Sequence, residues 1–248
     1  MYIESGLNFV KAMPSAVMGQ PVGLGSLFTR LPAEHLCAGK ILFMEGDVAK
    51  SLFEIVEGSL RLYRILGDGR RVITGFLHAG DILGISFNSH YVYTAEAITP
   101  VTIRRLSKKA FEAELADSAD IRPLVFQQMS DEMVQAQDQM VLLSTKNAEE
   151  RLCTFLLKEL QRALKNGAVQ PIVQLPMTRL DIADYLGLTI ETVSRTVTKL
   201  CSKGVTAVSG RHSVKILKRA MLAHLAGDGD ECEEIQRTVP AQAGRLRH

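Results

Sequence analysis

Residues 178–203, TRLDIADYLGLTIETVSRTVTKLCSK, decide how the chain is read. Thr178 can cap a helix, with Asp181 three residues on as a shorter form of the capping box. The helix predicted over 179–186 ends at Gly187, a residue that adopts positive φ without strain. Thr189 can cap again, and a second helix is predicted over 190–203. Ile182, Ala183, Leu186, Val193 and Val197 are spaced to share one core, with the small Ala183 where the two helices cross. This is the layout of a helix-turn-helix, whose second helix enters the major groove of DNA.

Rotation by 100° per residue sorts the faces of that second helix. Val193, Val197 and Leu200 face the core, while Glu191, Arg195, Thr198 and Ser202 lie opposite with Ser194 on the flank. Arginine grips guanine O6/N7 with two bonds, glutamate accepts from cytosine N4, and serine bonds to donors or acceptors. Lys199 and Lys203 are placed for phosphates, and Thr178, Arg179, Thr189 and Thr192 complete the candidate contacts from the helix entries. Strands predicted over 205–208 and 214–217 flank a tip, Ser209-Gly210-Arg211-His212, whose Arg211 and His212 suit a phosphate or minor-groove contact. The competing reading, a surface ion pair between Glu191 and Arg195 on an ordinary helix, ignores this setting.

Charge favours the same block. Net charge is +2, but residues 146–219 hold thirteen Lys/Arg against six Asp/Glu, and residues 220–248 hold three against five. A basic block on a near-neutral chain suggests a polyanion partner.

Upstream, a helix is predicted over 121–143, with Pro123 only in its first turn. Phe126, Met129, Met133, Ala136, Met140 and Leu143 follow one another at spacings of 3, 4, 3, 4 and 3, a heptad seam. The seam is narrower than an ordinary core face, so the expectation is pairing with the same helix of a second copy. The alternative is a helix packed on its own domain. Amphipathic residues 148–164 form a further helix, and 172–175 a short strand.

The first half reads as β-structure. Apolar runs over 51–56, 60–66, 70–77 and 101–106 are divided by glycine turns, and Leu60 and Leu62 alternate with Arg61 and Tyr63 as in a half-buried strand. A small antiparallel barrel or sandwich is expected, followed by a turn of helix from Ser107 over 108–115.

Ordinary composition, with 46% hydrophobic and 23% charged residues, excludes collagen-like and wholly disordered chains. The longest uncharged stretch, residues 12–29, is broken by Pro14, Pro21 and glycines, so neither a membrane span nor a secretion signal is expected and the cytoplasm is the expected location. Cys37, Cys153, Cys201 and Cys232 form no C-x-x-C pair, and no metal site is expected. The chain has no G-x-S-x-G, Walker A or H-E-x-x-H motif, and the isolated His78, His90, His212 and His224 suggest no catalytic role, so no enzyme activity is expected.

The run Glu45-Gly46-Asp47, Leu52-Phe53, Val56-Glu57-Gly58, Arg61-Leu62-Tyr63 and Gly80-Asp81-Ile82-Leu83-Gly84 resembles the cyclic-nucleotide-binding-like β-roll of Crp/Fnr transcription regulators. The heptad helix and the winged helix-turn-helix follow in that family's order, and the resemblance spans about residues 25–219. Ile190-Glu191-Thr192-Val193-Ser194-Arg195 looks like the recognition helix of the Fnr and FixK branches, where Glu, Ser and Arg at these spacings read TTGA-type half-sites. A cAMP-receptor-type helix would carry Gly at Ser194 and Arg at Ile190. Thr94-Ala95-Glu96-Ala97-Ile98 is also similar to FixK.

The departures bear on the effector. Relatives that bind a cyclic nucleotide have Gly-Glu opening the phosphate cassette and an arginine near its end. Here Ile85 follows Gly84, and the cassette closes on His90-Tyr91-Val92-Tyr93 without arginine. Only Cys37 lies in the first 150 residues, which is too few thiols for an Fnr-type iron–sulfur cluster. The resemblance therefore implies a FixK-like homodimeric activator with double-stranded DNA and RNA polymerase as partners, with no membrane partner, no cAMP, no iron–sulfur cluster and no other cofactor. The alternative is a Crp-like sensor of an unidentified small ligand in the β-roll.

The resulting expectation is an α+β chain: an N-terminal arm over 1–24, an antiparallel β-roll over 25–118, a dimerisation helix over 119–145, a winged helix-turn-helix over 146–220 and a mobile tail over 221–248. One further expectation concerns Cys201, on the same side of the recognition helix as Ser194. Lys199 and Lys203 flank it and favour thiolate, so oxidation there is expected to turn off DNA binding. Alternatively it is a small apolar residue sealing the helix against the wing.

Overall fold

The computed structural model describes residues 23–86, 88–210 and 212–227. The first half holds eight strands: β1 (Ala33–Leu36), β2 (Ile41–Phe43), β3 (Ser51–Glu57), β4 (Ser59–Ile65), β5 (Arg71–His78), β6 (Ile82–Leu83), β7 (Thr94–Ala97) and β8 (Val101–Ser107). They form two antiparallel four-stranded sheets, ordered β1-β8-β3-β6 and β2-β7-β4-β5. Apolar side chains such as Phe53, Ile55, Leu60, Leu83 and Ile103 fill the interior. The β3–β4 corner requires Gly58: its φ is +92°, and a Cβ there would lie 2.3 Å from the Pro100 carbonyl oxygen.

The alternation read along β4 is incomplete. The β4–β5 pairing shifts register between Leu62 and Tyr63, and Arg61 is turned into a half-buried position instead of toward water. Residues Leu24–Leu27 form a 3-10 turn, and Phe28 is buried against Leu52, Phe111 and Val125.

Ser107 caps α1 (Lys108–Asp117) by accepting from the Ala110 N–H. The long helix α2 runs Ile121–Thr145, burying only Ile121, Val125 and Leu142. Asn147 then caps α3 (Ala148–Lys165) in a capping box with Glu150. The remaining elements are β9 (Ile172–Gln174), α4 (Arg179–Leu186), α5 (Ile190–Ser202), β10 (Thr206–Val208), β11 (Ser213–Ile216) and α6 (Arg219–Ala226). Strands β10-β11-β9 make a small antiparallel sheet. The expected tail from 221 needs correction: α6 buries Leu222, Ala223 and Ala226 in the same core as α3, α4 and α5. The rest of that tail, from residue 228, and the arm before residue 23 lie outside the described residues. Among the described residues, no helix is long and apolar enough to cross a membrane.

Candidate nucleic-acid interface

The two interface helices are fixed by their caps. The Thr178 hydroxyl accepts from the Asp181 N–H at 3.1 Å and donates to Asp181 Oδ2 at 2.8 Å, while that carboxylate accepts from the Thr178 N–H at 2.9 Å. Gly187 closes α4 at φ 62° and ψ 40°, where its backbone N–H reaches Ala183 O. Thr189 Oγ1 accepts from the Thr192 N–H at 3.2 Å, starting α5. Ile182, Ala183, Leu186, Val193 and Val197 meet in one core.

Core burial on one side of α5 turns Glu191, Ser194, Arg195, Thr198, Lys199, Ser202 and Lys203 outward. Arg195 Nη2 donates to Thr192 Oγ1 at 3.4 Å, and among the described residues no ion pair joins it to Glu191. The Glu191 carboxyl lies below the usual range because its own N–H and the Thr189 hydroxyl bond to it, so at neutral pH it is an acceptor. Thr198 and Ser202 donate their hydroxyls to the carbonyls of Ser194 and Lys199. Thr178 and Thr189 are exposed but their hydroxyls serve the caps, and Arg179 is half-buried. His212 is exposed in the β10–β11 turn, where its carbonyl accepts from the Leu175 N–H; Arg211 lies outside the described residues.

The surroundings of Cys201 differ from the expectation. Lys199 and Lys203 turn their ammonium groups to the two oxygens of Glu149 in the first turn of α3, the latter at 2.9 Å. The thiol itself is half-buried, 3.5 Å from Thr206 Oγ1 and packed against the domain core. Cys37 and Cys153 are also free thiols; Cys232 lies outside the described residues.

The seam of α2 is open along most of its length. Phe126, Met133 and Met140 are 71%, 59% and 69% exposed, and Ala136 and Leu143 are exposed beside them. Met129 departs from the set: it is half-buried against the cluster around Phe111 and Val125. Val134 and Val141, outside the strict heptad, widen the exposed apolar strip.

The β-roll interior carries stacked rings. Phe43 and Tyr91 are 3.7 Å apart at their centroids, with Phe53 at 5.7 Å and Tyr93 at 5.8 Å from Phe43. Burial pushes the Tyr93 hydroxyl up to about 12, and Tyr91 donates its own to the Ser51 carbonyl at 2.7 Å.

Sequence reasoning missed the groups that join the two halves. Arg61 donates to Glu96 at 2.5 Å and to both oxygens of Asp181 at 3.3 Å, and Arg71 donates to Asp181 at 2.8 Å and Asp184 at 2.9 Å. Phe76, Phe155 and Tyr185 form a ring cluster behind them, and Arg162 bonds Asp81 at 2.6 Å. Arg151 sends its three nitrogen donors to the carbonyls of Lys146, Leu186 and Leu143 at 2.8, 2.9 and 2.8 Å. The one readable signal was Arg61, a charge inside an apolar strand.

Residues 33–118 match the family model described as a cyclic nucleotide-binding domain, and residues 150–225 that of the Crp-like helix-turn-helix domain. The chain belongs to the Crp/Fnr family of transcription regulators, in its FixK/Fnr-like branch. It is 41% identical to the nitrogen fixation regulation protein FixK of Bradyrhizobium diazoefficiens over 70% of this chain and 73% of that protein. It is 44% identical to the transcriptional activatory protein AadR of Rhodopseudomonas palustris over the same shares. The structure of FixK2 from Bradyrhizobium japonicum superposes with a TM-score of 0.75 at 32% identity, covering 79% of this chain and 96% of that one.

Proposed function

We propose that this chain is a homodimeric transcription activator, not an enzyme, that reads a TTGA-type palindrome through α5 and acts in the cytoplasm without cAMP or an iron–sulfur cluster. The observation that carries the reading is the shared outward face of Glu191, Ser194 and Arg195 on a helix fixed at both ends of its turn. Lys199 and Lys203 follow that face toward the end of the helix, His212 is exposed in the β10–β11 turn, and all three suit the phosphate backbone.

Pairing of two copies is supported by the apolar strip of α2, which the other described residues leave exposed and a second copy would cover. Activation is supported by the description of AadR as a transcriptional activatory protein, and it brings RNA polymerase in as a partner. Independence from nucleotide is supported by the Phe43–Tyr91 stack and by Ile85.

Oxidation of Cys201 by a peroxide, one oxygen of which becomes the sulfenic hydroxyl while the other leaves as water or an alcohol, is the redox element of the reading: the added oxygen would press on Thr206 at the root of the wing. The same contact favours a second role, a small apolar residue sealing α5 to β10.

A labelled duplex carrying a TTGA palindrome tests the whole reading. The protein should bind it at least a thousandfold more tightly than a scrambled duplex, the order expected of a specific regulator. Equal binding to both, or none, would refute it.

A further inference from the structure

Two cations suited to DNA phosphates are already held by an anion of the same chain. Glu149 stands in the first turn of α3, where Asn147 Oδ1 accepts from its backbone N–H at 3.0 Å. Its two carboxylate oxygens separate two ammonium groups, Oε2 toward Lys199 and Oε1 toward Lys203 at 2.9 Å. Two non-bridging oxygens of a phosphate present the same pair of acceptors. The lysines come from the end of α5 that follows the base-reading face, and Glu149 comes from another helix fifty positions earlier. The arrangement is therefore tertiary, and it does not follow from the register of α5.

We propose that Glu149 is an intramolecular phosphate surrogate that opposes DNA binding: Lys199 and Lys203 must leave its carboxylate before they can engage the backbone of a duplex. The inference rests on the DNA-binding reading above and adds to it a residue that sets affinity and salt sensitivity without touching a base. With Glu149 present, the three side chains meet the duplex with a net charge of +1; without it they carry +2. Exposed pairs of this kind are weak enough for a polyanion to displace. One extra net cation facing B-DNA steepens the slope of log K against log salt by about 0.9.

The test uses the full chain, a TTGA palindrome and a random duplex. Glu149→Gln should tighten binding to both by roughly three- to tenfold at low salt, the range set by exposed ion pairs. The salt slope should steepen by about 0.9. Glu149→Asp keeps the charge at the helix start but shortens the reach, so it should tighten binding in the same direction. This variant keeps the idea testable if Glu149→Gln fails to fold. In a Lys199→Gln, Lys203→Gln background, Glu149→Gln should change nothing. Unchanged or weaker binding by both Glu149 variants would overturn the proposal, as would equal tightening in the background lacking both lysines. If the unmodified protein shows no preference for the palindrome, it is the DNA-recognition reading that fails.

Discussion

Arg71 Nη2 lies 2.8 Å from Asp181 Oδ1, joining the β-roll hairpin to the first helix of the helix-turn-helix across 110 positions of chain. Asp181 is 1% exposed and is also the capping partner of Thr178. Asp181→Ala leaves Arg61 and Arg71 without this carboxylate and opens the cap. Its expected cost is about 3–5 kcal/mol, as for a broken buried pair. Arg71→Lys keeps the charge but loses the fork that spans Asp181 and Asp184, costing about 1.5–3 kcal/mol. Thermal unfolding checks both, and an unchanged midpoint for Asp181→Ala would show the junction to be open in solution.

The strip on α2 predicts that charge there separates the copies. Met133→Glu with Met140→Glu would set like charges face to face where water is excluded. Sedimentation should report a monomer, with loss of palindrome binding. A double mutant that remains a dimer would move the interface elsewhere.

At the bases, Arg195→Ala should cost about 1–3 kcal/mol on the palindrome and relax discrimination at one base pair per half-site. Lys199→Ala should act on every sequence alike and flatten the salt slope. Competition against single-base variants checks this. If Arg195→Ala weakened specific and random DNA equally, Arg195 would be a phosphate contact.

Nucleotide should have no effect. Phe43, Tyr91 and Tyr93 occupy the roll, Ile85 follows Gly84, and the cassette lacks an arginine. Calorimetry with millimolar cAMP or cGMP should give no binding heat and leave DNA affinity unchanged. A saturable heat would contradict this.

For Cys201, peroxide should weaken palindrome binding by the starting protein and spare Cys201→Ala. Equal loss in both, or loss in neither, assigns the residue to packing against Thr206 alone.

Local signals made the helices legible. Thr178, Gly187 and Thr189 set the turn by capping chemistry that acts within a few residues, and α4 and α5 begin at the predicted positions. The strands β1, β2, β6 and β7 were harder to read. Ala33–Leu36 and Thr94–Ala97 contain few β-branched residues, and their extended form depends on pairing with β8 and β4, far away in the chain. The contacts of Arg61, Arg71 and Glu149 were likewise hidden, because each partner lies on an element whose position depends on the whole fold. Heptad spacing gave the side of α2 but not the inward turn of Met129, which the neighbouring Phe111 cluster decides.

Arg151 carries a mechanical consequence. Its guanidinium ties carbonyls at the end of α2, in the link to α3 and at the end of α4. With 25 residues, α2 is about 37 Å long at the usual rise. A lever of that length transmits orientation faithfully only if its far joint has no play. Neighbouring base pairs along a strand are about 3.4 Å apart, so a lapse of one step would set Arg195 against the wrong pair. In the proposed dimer, by removing play at the joint, one arginine would make the spacing between two reading heads a property of the scaffold, so that it would not have to be found anew at each encounter with a duplex.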